Sequence, residues 1–144
     1  MRRGLSPADL GDLLESRLSC TLATYRRSGE ALLTPVWFHW DGEAFNMAIG
    51  RDGFMAAHVR RDPRASVLLY ESELPLRGIE VRGTGTLFEE GVDELRRSIW
   101  RRYVGVEPPP RDEGEIGLRV VGMIRAWDFA DDLEDFGADP ATLG

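Results

Sequence analysis

The sequence predicts a mainly β fold with flanking helices, an antiparallel barrel that is closed or partly closed. Three observations lead there. Six apolar segments of strand length follow one another along the chain. The connections "RSG" and "DG" between the early ones are hairpin signals. Strands and helices do not alternate in the βαβ manner that a parallel sheet requires.

Each element has a local reason. "SPADLGDLLESRL" reads as a first helix: Ser6 can cap it, Pro7 suits the first turn and Asp9 meets the positive end of the helix dipole. Leu10, Leu13, Leu14 and Leu18 would line its buried face. "CTLATYR" and "EALLTPVWFHW" follow as a hairpin, with Pro35 marking an edge position or a bulge because proline has no N–H for the ladder. Asp41 and Gly42 turn the chain into "EAFNMAIG", and a short helix then ends in "RRDPR". "ASVLLYE" and "GIEVRGTGTLFE" are two further strands, with Gly83 and Gly85 permitting a bend or a close backbone approach. "VDELRRSIWRRYV" places Leu95, Ile99, Trp100 and Tyr103 on one helical face. Arg96, Arg97, Arg101 and Arg102 would then form its wet face. The prolines of "VEPPPRDEGE" exclude a helix there, and "GLRVVGMIRAWDF" returns to strand. The whole chain, 1–144, is expected to be one domain with its core at about 18–130 and a polar tail at 131–144.

Composition excludes several functions. A net charge of -7 argues against a nucleic-acid partner, which would need a basic face. All 18 basic residues are arginine, so no Schiff-base lysine exists and any anion must be held by Arg, hydroxyl or backbone N–H groups. The single Cys20 excludes an intrachain disulfide and is expected to be a buried strand residue. Two histidines, His39 and His58, and an acidic run at Asp131, Asp132, Glu134 and Asp135 give no reason to expect a metal site. No apolar run approaches the length of a membrane span, so a cytoplasmic protein without a membrane partner is expected.

No catalytic constellation stands out, but the order of particular words does. "TPVWF-W-DG", the short helix ending in "RRDPR", and "VRG-G-L" together resemble the split-barrel flavoproteins that include pyridoxamine 5'-phosphate oxidase-like proteins, in the branch using FMN or the deazaflavin F420. The likeness runs from about Leu22 to Glu90, with weaker support in "VVGMIRAWDF". It implies a six-stranded split barrel, a homodimer with the cofactor at the subunit interface, and hydride transfer to or from a small organic substrate. The backbone at Thr34, Pro35, Val36, Trp37 and Phe38 would lie along the ring. The phosphate would sit at the helix start near Gly53, with Arg51, Met55 and His58 around it. Arg77 and Arg82 would add positive charge, and Trp127 would close over the ring.

The sequence departs from that family pattern where the phosphate is held. Many relatives carry Thr, Ser and Lys at the positions that are Ile49, Gly53 and Met55 here. Arginines and helix amides would have to take over. The alternatives are a pocket turned to another ligand such as haem, with His39 and His58 nearby, or a barrel that serves as a non-catalytic dimer.

Overall fold

The computed structural model describes residues 1–110 and 114–132. One seven-stranded antiparallel sheet is built from β1 (Cys20–Tyr25), β2 (Ala31–Val36), β3 (His39–Trp40), β4 (Phe45–Gly50), β5 (Arg64–Tyr70), β6 (Gly78–Phe88) and β7 (Glu115–Trp127). Helix α1 (Phe54–Arg61) joins β4 to β5, and α2 (Val92–Tyr103) joins β6 to β7.

The spatial order is β2-β1-β5-β6-β7-β4-β3. Its two rims are halves of one chain segment, because only Trp37 and Phe38 separate β2 from β3. Three Cα steps span at most about 11 Å. The sheet must therefore curl until its rims meet at this seam. Counting the broken segment once gives the expected six strands; the break makes seven. Pro35 stands opposite Thr21 on rim strand β2, where its missing N–H costs no ladder bond.

Inside the curl, Leu22, Phe45, Met47, Val67, Leu69, Ile79, Val81, Leu118 and Val120 are fully buried or nearly so. They alternate with outward residues on β1 and β5, as the pleat requires. Cys20 is completely buried, and desolvation pushes its thiol up to about 12, so it is an inert core residue.

The first helix is corrected. Pro7–Leu10 and Leu13–Glu15 are two short 3-10 turns. Gly11 separates them with φ +60, and the Leu10 carbonyl accepts a hydrogen bond from Arg77 Nη1 at 2.7 Å. An outside donor has taken a carbonyl that a continuing helix would use. Asp9 accepts from both the N–H and the hydroxyl of Ser6, at 2.8 and 2.9 Å. Leu10, Leu13 and Leu14 are buried, but Leu18 lies beyond the second turn and is exposed.

Gly83 faces Gly122 across β6 and β7. A Cβ on Gly83 would lie 2.0 Å from the Val121 carbonyl oxygen, and one on Gly122 would lie 2.2 Å from that of Arg82. The expected close approach at Gly83 thus has a second glycine as its partner. No helix among the described residues is long and apolar enough to cross a membrane.

Candidate functional site

A cleft of about 380 Å³ opens where β2 ends, β4 ends and α2 passes over the barrel. Val36 and Trp37 form one wall, Ala48, Ile49 and Gly50 another, and Met55 enters from α1. Arg96, Ile99 and Trp100 cover it from α2, and Glu115 stands at the start of β7. Register explains the convergence: Gly50 pairs with Glu115, which brings the end of β4 to the beginning of β7.

The break after Val36 is held by α2. Phe38 turns inward and is fully buried, with its ring 5.0 Å from that of Phe45. Tyr103 donates its hydroxyl to the Leu18 carbonyl at 2.7 Å and stacks on Trp37 at 4.9 Å and 7°. Arg102 donates to the Phe38 carbonyl, with its guanidinium 4.6 Å from the Phe38 ring and 4.8 Å from the Tyr103 ring. Trp100 meets Trp37 edge-on at 6.4 Å. Trp37 is thereby fixed in orientation while remaining 41% exposed.

Charge in the cleft is balanced. Arg96 is only 8% exposed; its Nε donates to the Glu115 carboxylate at 3.2 Å and its Nη1 to the Pro109 carbonyl. Arg51 sits at the turn after β4, ion-paired with Glu89, with Nη2 3.4 Å from the Glu115 carbonyl oxygen. Its own amide donates to Gly114 at 2.7 Å, and its carbonyl accepts from Arg60 at 3.0 Å. Gly53 is the N-cap of α1, in extended conformation, and its amide returns to the Gly50 carbonyl at 3.1 Å. The first-turn amides of α1 are donors that an anion could use without a side chain.

His58 lies one turn beyond Met55, its Nδ1 3.0 Å from the Thr24 hydroxyl. Desolvation, then the charges of Arg61 and Arg26, lower its pKa, so it favours the neutral imidazole. His39 pairs with Asn46 on β3–β4. Among the described residues no group of three or more His, Cys, Asp or Glu is placed to hold a metal. Glu134 and Asp135 of the acidic run lie outside the described residues.

The structure therefore gathers Val36, Trp37 and Met55 around one cleft, with Arg51 and Gly53 at the adjoining turn. Thr34 and Pro35 lie just before it on β2, Phe38 packs in the core, and His58 turns to β1. Three expected residues stand elsewhere. Arg77 is held by Glu71, Asp12 and the Leu10 carbonyl. Arg82 lies exposed on the outer face of β6, 3.3 Å from Glu80. Trp127 covers Gly78 at the other end of β7, a 13-residue strand about 40 Å long at ~3.3 Å per residue. There it lines a second cleft of about 290 Å³ with Leu68, Tyr70 and Phe129.

Arg96 and Glu115 were not foreseen. Arg96 was expected on the wet face of α2, yet it falls one turn before Ile99 and Trp100, on the side that packs. That i, i+4 relation to Trp100 was the available signal.

A family model described as pyridoxamine 5'-phosphate oxidase matches residues 7–130. Among solved structures, the chain is similar to a conserved hypothetical protein from Mycobacterium tuberculosis, at 28% identity, with 97% of this chain and 92% of that one covered and a TM-score of 0.77. It is similar to an F420 reductase at 25% identity, covering 79% and 93%, with a TM-score of 0.70. The haem storage protein HutZ from Vibrio cholerae shares the fold, at 14% identity, coverage of 82% and 92%, and a TM-score of 0.64. No curated protein matches the sequence.

Proposed function

Because this chain belongs to the pyridoxamine 5'-phosphate oxidase family, we propose that it is a homodimeric redox protein that takes FMN or F420, with the ring in the cleft that Trp37 and Trp100 line. The observation that carries this reading is the cleft itself. It is preshaped and walled mostly by apolar side chains, and it lies beside the strand segment that the family resemblance assigns to the ring.

The fit to the cofactor divides into two parts. A flat ring suits walls made of Val36, Ile49, Ile99 and a Trp37 already held by Tyr103 and Trp100. The phosphate does not find the usual side chains, because Ile49 and Met55 offer no donor and Arg51 is ion-paired with Glu89. When bound, the cofactor supplies the hydride chemistry. The chain's own residues position the ring and keep water away from it: Trp37 sets the plane, while Met55 and Ile99 close the apolar floor.

Exposed apolar strand residues support pairing with a second copy. Leu33 is 65% exposed and Met123 72% exposed, and Val121, Ile124 and Tyr70 are exposed as well. Such apolar exposure on strands suits burial against a partner. Trp127 stands at the far end of β7 from the cleft of its own copy, so in this reading a second copy would bring it to the cleft.

Titration of the purified protein with FMN and with F420, followed by flavin or deazaflavin absorbance and fluorescence, tests the proposal. Saturable binding of either is expected. Binding of neither up to about 100 μM would leave the alternative of a non-catalytic or haem-binding dimer, which the apolar Ile49 and Met55 positions favour. Addition of haem with a search for a Soret shift then separates those two.

A further inference from the structure

We propose, resting on the ring-binding reading above, that the cleft recognises the uncharged tricyclic ring alone and does not read the phosphate. The ligand class is then the flavin-type heteroaromatic nucleoside, accepted as readily as its phosphate ester. Three features of this chain point there.

First, the positions nearest the β4–α1 turn are apolar: Ile49 and Met55 both line the cleft and present no donor. Second, the cation that lines the cleft is already matched. Arg96 is buried against Glu115 at 3.2 Å and holds the Pro109 carbonyl. An incoming phosphate would face the Glu115 carboxylate, and it would have to exchange one charge-assisted bond for another. Third, the described arginines at the turn already have partners. Arg51 is ion-paired with Glu89, and Arg60 is spent on the Arg51 carbonyl while Asp52 is exposed beside it. Arg51 and Arg96 are thus ion-paired with Glu89 and Glu115. Cations already paired with carboxylates draw a group carrying between one and two negative charges only weakly. The apolar walls and the fixed indole of Trp37 favour the ring whatever its tail.

The experiment compares matched pairs on the full-length protein: riboflavin against FMN, and 5-deazariboflavin against its 5'-phosphate, by fluorescence at low and at physiological salt. Members of a pair are expected to bind within about threefold of each other, with little salt dependence. Met55→Lys, which puts a cation at the helix start, is expected to raise the preference for FMN over riboflavin by about tenfold or more, whatever it does to the ring itself. A wild-type preference for FMN of about tenfold or more overturns the inference while leaving the parent reading standing. It would mean that a second copy's Arg82 or the α1 amides grip the phosphate. A folded Met55→Lys protein whose preference for FMN over riboflavin does not rise also overturns it, because the missing cation would not be what silences the phosphate. Failure of all four compounds to bind sinks the ring-binding reading itself.

Discussion

His58 is neutral by preference, and this has a consequence for stability. Desolvation and the charges of Arg61 and Arg26 hold its pKa below the ordinary 6.5. The unfolded chain takes up a proton near 6.5, whereas the folded one resists until the pH is lower. The His58 contribution is therefore complete above that value and is lost as pH falls below it. Thermal melts at about pH 7.5 and about pH 5.5 should show a smaller drop for His58→Gln than for wild type. An equal drop would place the acid sensitivity elsewhere. Single residues were unevenly legible. The absence of a donor at Ile49 and Met55 could be read directly, and so could the burial of Cys20. Arg96 could not, because charge alone suggests solvent, and only its helical spacing to Trp100 betrays the packed side.

Elements were legible where hydrophobic period and turn residues agree. The hairpin of β1 and β2, the helix α2 and the long strand β7 all arise at the places that pattern and turn chemistry indicate. The first helix failed for a reason outside its own span. Arg77, more than sixty residues away in sequence, takes the Leu10 carbonyl, and Gly11 adopts φ +60. Local propensity contains no information about a donor from another element. The glycine pair at β6–β7 was only half visible for the same reason: Gly83 was noticed, but its partner Gly122 is set by register. Gly122→Ala should be among the most damaging small substitutions, because its Cβ would meet backbone at 2.2 Å. A loss of about 3 kcal/mol or more in urea unfolding is expected. Gly29→Ala is the control: its φ is +87 but nothing lies near, so about 1 kcal/mol should be lost. Similar costs at the two positions would mean that β6 and β7 separate easily.

At the scale of the whole molecule, closure follows from a single chain segment serving both rims. The order of elements was enough to indicate a curled antiparallel sheet, because hairpin connections leave few other arrangements. The break at Trp37 and Phe38 was not legible, since an unbroken run of strand-forming residues spans it. It needs the cap that Tyr103 and Arg102 supply from α2, far along the chain. The proposed association should be sensitive on the outer face. Leu33→Arg, at a residue 65% exposed, should leave the melting temperature nearly unchanged and shift sedimentation toward the monomer. A dimer that tolerates the charge would move the interface to another surface.

The distance between the Trp37 cleft and the Trp127 cup also bears on how defects combine. If each ligand is enclosed by the cleft of one copy and the cup of the other, a chain damaged at Ile99 and a chain damaged at Trp127 are each inactive with themselves. Co-refolded in equal amounts they would exchange halves. Mixed pairs would then carry one doubly damaged pocket and one wholly sound pocket, restoring about a quarter of the wild-type capacity from two proteins that have none.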